Sequence, residues 1–356
     1  MITIECFKGL PIEHEPFLIN KYNSFITTCR YIEIYHSASF DINYMLVKEE
    51  DALIEVLVYG NNGAVSRCFN SLVDIDQSII DEFTKKLFEI HPTIQKIKIV
   101  STYKEYTSPK SILYSKSDDH ILNLPSTMDD YYMKLGSSTR QHIKNRKVRL
   151  LRDYKNVNFV VKFGSDIEEH TVDKIIQMNI ERMKHKGKTP GLDDTHKNGI
   201  YKYSQHYGCV AYIEVDGLIV AGSINTILNK ELFGHITSHD NNYSKYNVGE
   251  LCAFYLIQTS IEKGLTTFHF LWGASDLKRR LLAKPRLLFS YFIYRSYSFD
   301  YLFFKANELF LHIFIGFKRS RISNPIRNLI TFYRKKKWKE LFVFSRKKEP
   351  LKIKRI

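Results

Sequence analysis

Two imidazoles four residues apart, His235 and His239, close a strand-like apolar run that begins at Glu231. Histidine changes charge near neutral pH, so either ring is a candidate general base, with a core histidine as the plainer alternative for each. Regular strand alternation would put both on one face. A polar, turn-rich loop follows, and then Asn247-Val248-Gly249-Glu250 opens a helical pattern with apolar residues at Leu251, Phe254, Tyr255, Ile257 and Ile261. Asn247 suits an N-cap. Gly249 leaves the first helical turn bare, and the unpaired N–H groups there attract anions. Lys263-Gly264 gives a basic last turn and a stop, and Thr266–Trp272 reads as the next strand. Such a strand–loop–helix–strand unit can bind a phosphate, although many units of this kind in α/β proteins bind nothing.

The order of residues over Glu231–Lys278 resembles the acyl-coenzyme A half of the GNAT acyltransferase superfamily, in particular the CelD-like branch related to the FemAB aminoacyltransferases. That branch shows a D-x-x-Y loop, a Ser-Pro-Gly-like helix start, a helix ending in Gly, an F-D-F strand and a G-x-x-x-x-K segment. The corresponding residues are Asp240 to Tyr243, Asn247-Val248-Gly249, Gly264, Phe268-His269-Phe270 and Gly273 to Lys278. Asn-Val replaces Ser-Pro, and His269 replaces the usual acid. The likeness extends over roughly Tyr131 to Lys284.

The resemblance implies an acyl-CoA (acetyl-CoA) co-substrate held by Lys245, Tyr246, Asn247, Val248, Gly249 and Glu250, with no metal. It makes Asp240 the loop acid, with simple turn formation as the alternative, and it places Asp276 and Lys278 where the family keeps polar residues after its last core strand. Acyl transfer from a thioester to an amine needs a neutral amine, a polarised carbonyl and a protonated leaving thiolate. In the GNAT fold a strand-edge backbone N–H commonly polarises the carbonyl, and sequence alone does not identify it. The catalytic candidates are therefore His235, His239, Asp240 and Lys278.

A second chemical feature is the segment SSTRQHIKNRKVRLLRDY, where Ser137 or Ser138 can cap a helix. Arg140, Lys144 and Lys147 share one face of it at i, i+4, i+7 spacing. That face is either solvated or a phosphate clamp; the family's Ser-x-x-Arg helix favours the clamp and makes Arg140 and Lys144 substrate candidates. Arg182, in a segment like the family's R-W-…-G element, joins them as a candidate, with a surface ion pair as the alternative, and so does Asp276. A lone basic helix without interleaved aromatics is weak support for nucleic acid.

A chain of 356 residues with 44% hydrophobic and 26% charged content suits two ordinary globular domains. Strand-like runs at Phe40–Lys48, Ala52–Tyr59, Val65–Leu72 and Gln95–Val100, with a helical pattern over Asp76–His91, make residues 1–120 a mixed α/β lobe; the resemblance implies a degenerate GNAT-like lobe. Residues 101–127 read as a polar boundary. Strands at Phe159–Phe163, Cys209–Val215, Leu218–Leu228 and Glu231–Ser238, with helices at Asp166–His185 and His196–Tyr207, fill a catalytic domain over 121–284. The fold class is α/β, two GNAT-like lobes of mixed sheet flanked by helices, plus an aromatic and basic helical extension over 285–356.

That extension carries 18 Lys/Arg against 4 Asp/Glu, almost the whole +15 of the chain. Aromatics mixed with cations suit either packed helices or helices lying on an anionic membrane surface. Five scattered cysteines argue for buried thiols in a reducing compartment. No secretory signal and no spanning segment is legible, which points to the cytoplasm, with a peripheral position at the inner membrane face. The function implied is N-acyl transfer from acyl-CoA to an amino group, with a small-molecule or lipid-linked amino sugar of cell-surface polysaccharide assembly as the acceptor. The alternatives are a FemAB-like aminoacyltransferase using charged tRNA, or a catalytically silent GNAT-like binding protein.

Overall fold

The computed structural model describes residues 2–297 together with 301, 302 and 305. The first half holds β1 (Ile2–Lys8), α1 (Glu15–Tyr22), α2 (Cys29–His36), β2 (Asp41–Glu49), β3 (Ala52–Asn62), β4 (Val65–Cys68), α3 (Gln77–Ile90) and β5 (Lys96–Thr102). Then come β6 (Ser111–Asn123), α4 (Met128–Lys134), α5 (Ser137–Asp153), β7 (Val157–Phe163), α6 (Glu169–His185) and α7 (Lys197–Tyr207). The last stretch is β8 (Gly208–Val215), β9 (Leu218–Leu228), β10 (Glu231–His239), α8 (Val248–Glu262), β11 (Thr267–Trp272), α9 (Asp276–Arg280) and β12 (Lys284–Tyr294). Twelve strands form one mixed sheet in the order β1-β2-β3-β4-β5-β12-β6-β11-β10-β9-β8-β7.

Turn chemistry sets the hairpins. Asp216 (φ 48°) and Gly217 (φ 81°) both adopt left-handed backbone, which turns β8 into β9 with the twist that two paired strands require. Strand alternation then sends the side chains of β8 to two different layers. Val210 and Tyr212 pack with Val172, Ile175 and Ile176 of α6, while Ala211 and Ile213 pack with Leu251 and Ile257 of α8. Helices on both faces bury every residue of β8 except Glu214, at about 1.5–3 kcal/mol for each large aliphatic side chain removed from water. Gly222 is small because α6 lies on it: an added Cβ would sit 2.5 Å from Ile175, so the close approach expected there is made by a core side chain.

Two sequence expectations change. The polar stretch 101–127 contains the thirteen-residue β6, so a division at 120/121 falls inside a central strand. Its Asp119 and His120 defeat β-propensity, and Asp119 is stable there because it finds polar partners within the sheet (below). The boundary at 284/285 falls at the start of β12, a strand in place of the expected helix, paired with β5 on one side and β6 on the other. Alternate aromatics such as Phe289 and Tyr291 are strand residues filling the first-half core. The compact unit runs from residue 1 to 295, and most of the basic extension lies outside the described residues. Among the described residues, no helix is long and apolar enough to cross a membrane.

Candidate active site

β10 and β11 run parallel but pair over three residues only, Glu231–Phe233 against Thr267–His269. Beyond Phe233 they separate, and three local features account for it. First, the register of β10 against β9 slips between Gly234 and Ile236, leaving His235 as an extra, bulged residue. Second, the Thr237 carbonyl, which has no β11 partner, accepts from Asn179 Nδ2 (3.0 Å) and Arg182 Nη2 (3.2 Å) of α6. Third, β11 twists out at Leu271 (φ 56°), and the Lys278 ammonium donates to the carbonyls of Phe270, Leu271 and Trp272 at 2.8–2.9 Å. These side chains satisfy groups that a closed strand pair would have satisfied itself.

At the open end of the gap, α8 begins. Asn247 occupies the N-cap in left-handed backbone (φ 49°) and makes no side-chain cap bond, so its role differs from the expected side-chain cap. Gly249 sits where a Cβ would lie 3.2 Å from His239 Nδ1, which brings the bare first turn against the end of β10. Beside it lies a cleft of ≈ 320 Å³ lined by Lys174, Met178, Glu181, Arg182 and His185 of α6 and by His239, Asp240, Asn241 and Asn242.

The predicted residues divide sharply. His239, Asp240 and Arg182 meet in the cleft. His235 does not: the bulge resets the alternation, and its ring lies 5.1 Å from Phe25 with Nε2 enclosed and unpartnered. Burial lowers its pKa to about 4, so it is a neutral core histidine at pH 7. Burial, then the charges of Arg182 and Lys186, also hold His239 below the ordinary histidine value, with Asp240 opposing them. Asp240 caps the loop as well, accepting from the Asn242 N–H at 2.8 Å.

In the cofactor set, Tyr246 and Val248 are core residues. Tyr246 donates to Asp153 Oδ2 at 2.8 Å. Glu250 turns inward, buried, to pair with Arg280 at 2.6 Å. Lys245 is exposed, with its carbonyl taken by Arg146. That leaves Asn247, Val248 and Gly249 to offer backbone. Lys278 has its three protons committed to carbonyls, which makes it a positioning residue for β11, and burial lowers its pKa to about 8. Asp276 is an exposed residue of α9 paired with Arg279 and Arg280. Arg140 caps α4 through the carbonyls of Tyr132, Met133 and Leu135, and Lys144 is exposed on α5; neither lines the cleft.

Sequence reasoning missed a buried chain of polar groups at the point where the strands part. His269 Nδ1 lies 2.6 Å from Asp119 Oδ2 and its Nε2 lies 2.9 Å from Glu231 Oε2, while the Tyr103 hydroxyl donates to Asp119 at 2.9 Å. The ring stacks on Phe233 with centroids 4.4 Å apart. Desolvation opposes protonation of His269, but the bonds and charges of Asp119 and Glu231 outweigh it and raise the pKa. With a carboxylate at each nitrogen, both N–H groups of an imidazolium have acceptors. The replacement of an acid by His269 was the available signal; its partner Asp119 was hidden in a segment read as a linker. Lys174, Glu181 and His185 were also missed, although 174, 178, 181, 182 and 185 share one helical face.

Residues 137–279 match the family described as acetyltransferase (GNAT) domain. No curated protein matches the sequence. Solved structures share the fold at low identity. FemX superposes with a TM-score of 0.59 at 10% identity, covering 82% of this chain and 97% of that one. L-PGS from Bacillus licheniformis gives 0.55 at 13% identity, with 83% and 95% covered. A conserved protein from Bacteroides thetaiotaomicron gives 0.54 at 11% identity, with 83% and 100% covered. The parted strand pair and the bare helix start fall within the matched segment: residues 137–279 carry the GNAT-domain match, and the chain has the fold seen in FemX.

Proposed function

We propose that the protein is an N-acyltransferase that moves an acyl group, acetyl in the simplest case, from acyl-CoA to an amine held in the cleft between α6 and the end of β10. The observation that carries this reading is the separation of β10 from β11 beside the uncapped start of α8. A parted parallel pair offers strand-edge N–H groups to a thioester carbonyl, and the first turn of α8 offers N–H groups to phosphate oxygens. His239 is the base in this scheme. Its lowered pKa keeps the imidazole neutral at pH 7, ready to take a proton from the attacking amine as the C–N bond forms and the C–S bond breaks. Lys278 and Asn179 keep the gap open, and Asp240 sets the loop.

The acceptor in this proposal is an amino sugar or a related precursor of cell-surface polysaccharide, met in the cytoplasm at the inner face of the membrane. Catalysis belongs to the second lobe, with the first lobe shaping the substrate side. Calorimetric titration of the folded chain with acetyl-CoA and with longer acyl esters tests the reading. Micromolar binding supports it, and silence toward every ester sinks it. One observation favours a second reading, a FemAB-type transfer from charged tRNA: α5 carries Arg140, Lys144, Arg146, Lys147, Arg149 and Arg152, most of them exposed. Transfer of a labelled aminoacyl group from tRNA, with none from acyl-CoA, would establish that alternative.

A further inference from the structure

Arg182 is half-buried and keeps its charge at any physiological pH. Taking a guanidinium out of water without a counter-charge is costly, and proteins normally pair it. Arg280 and Arg286 follow that rule, Arg280 meeting Glu250 at 2.6 Å and Asp276 at 3.1 Å and Arg286 meeting Asp74 at 3.0 Å, while Arg67, whose Nε is also enclosed without a partner, lies over the Phe69 ring at 5.7 Å. Where carbonyls cap an arginine instead, as at Arg140 and Arg295, three of them converge. Arg182 has one neutral carbonyl, that of Thr237, and an enclosed Nε with no partner.

Its surroundings add further donors without giving it a carboxylate partner. Lys174 and His185 lie on the same helical face and line the same cleft. Lys186 is near enough that the charge of Arg182 is the main cause lowering its pKa. Of the two acids in the cleft, Glu181 accepts from Gln177 and Asp240 accepts from the Asn242 N–H. Opposite α6, the Asn241 and Asn242 side chains bring further amide donors. Lys174 and Arg182 balance Glu181 and Asp240 in the lining, but neither carboxylate forms an ion pair with Arg182, and the donors surround a space large enough for a phosphate group.

We propose that the acceptor bound in this cleft carries an anionic group, a phosphate ester or a carboxylate, that completes the ion pair missing at Arg182. Lys174 and the amides of Asn241 and Asn242 supply the remaining contacts. The proposal rests on the acyltransferase reading of the cleft and narrows it to acidic amines, such as amino sugar phosphates. Phosphates also occur in coenzyme A, but α8 packs on the face of the sheet opposite α6, and its first turn already offers donors to them.

The test uses the full chain and calorimetry without coenzyme, with glucosamine, glucosamine 6-phosphate and inorganic phosphate as probes. Wild type is expected to bind glucosamine 6-phosphate about tenfold or more tighter than glucosamine, the range of a charge-assisted pair. Arg182→Gln should abolish that preference, Arg182→Lys should retain part of it, and inorganic phosphate should compete. No preference in wild type, or a preference that survives in Arg182→Gln with its melting temperature intact, overturns the proposal. A separate arm compares acetyl-CoA with acetyl-dephospho-CoA. If Arg182→Gln weakens acetyl-CoA as much as it weakens the sugar phosphate, the anion belongs to the coenzyme and the acceptor assignment falls. Arginine-dependent phosphate binding in a chain that transfers no acyl group would uphold the anion site and remove the acyltransferase reading alone.

Discussion

The two halves of the sheet each contain a parallel strand pair joined through a helix, and only one of the pairs is open. In the first half β4, α3 and β5 make the unit, with Val65–Arg67 against Lys96–Lys98; in the second, β10, α8 and β11 make it. After three residues of pairing, the first unit closes again. The Leu72 N–H donates to the Ser101 carbonyl, the Tyr103 N–H donates to that of Val73, and Val73 bridges Thr102. Asn70 fills the irregular chain between, accepting from the Val58 N–H and donating to the Val56 carbonyl. The helix starts differ as well. Asp76 and Lys104 form an ion pair at the start of α3, whereas Asn247 brings no charge to α8 and Glu250 is turned into the core. The same supersecondary unit is a closed scaffold where side chains complete the ladder, and a slot where side chains hold the strands apart.

The largest expected effect comes from the point where the open pair begins to part. Asp119→Ala leaves a buried imidazolium with one partner, and about 3–5 kcal/mol of stability should be lost, read by urea denaturation. His269 adds a pH signature. Its folded pKa lies above the ordinary 6.5, so its contribution is fully present below pH 6.5 and is lost as pH rises through the folded value. The stability gap between wild type and His269→Gln should therefore narrow on the alkaline side; a gap that widens there would refute the protonated bridge. Next, Gly249→Trp fills the first turn of α8 against His239. Affinity for acetyl-CoA should drop about a hundredfold with the melting temperature kept, the scale of one or two lost bonds to an anion. Unchanged affinity in a folded variant would move the coenzyme elsewhere.

A smaller change belongs to the closed pair. Asn70→Ala strips an acceptor from the Val58 N–H and should cost about 1–3 kcal/mol with no effect on coenzyme binding. If binding weakens in proportion, the closed pair and the open pair are coupled. In the open half, His239→Asn should remove the acid limb of the kcat/KM profile, which wild type should show below pH 6.5 because burial and Arg182 lower the histidine pKa. The smallest effect is reserved for Lys144→Ala: an exposed cation, for which chemical denaturation should read within about 0.5 kcal/mol of wild type.

Local signals made much of this legible. Asn61-Asn62-Gly63 and Asp216-Gly217 do turn hairpins, and the apolar periods of α3, α6 and α8 mark those helices within a residue or two at most ends. His239, Asp240 and Gly249 were legible together because strand end, loop and helix start are contiguous in the chain, whereas Arg182, on α6, was singled out through the family resemblance. The failures are all non-local. A bulge depends on the partner strand, so nothing near His235 announces that alternation breaks there. The inward turn of Glu250 is decided by Arg280, thirty residues on. Asp119 looks like linker composition until His269 and Tyr103 are brought beside it by pairing across the sheet. The aromatic run from Pro285 is ambiguous between helix and strand by composition, and two waiting strand edges settle it.

Those two edges carry a consequence for the order of folding. β12 is the last described strand in the chain yet sits near the middle of the sheet, hydrogen-bonded to β5 on one side and β6 on the other. A ribosome that has released residues up to Ala283 has made both neighbours without the strand that joins them. Each then presents an unpaired edge, the geometry most open to pairing with another chain. Completion of the sheet waits on contacts almost two hundred residues apart, such as Ile97 with Ile293, which slows folding and lengthens that exposure. Nascent chains stalled just short of Lys284 should therefore be the form of this protein that most needs a chaperone.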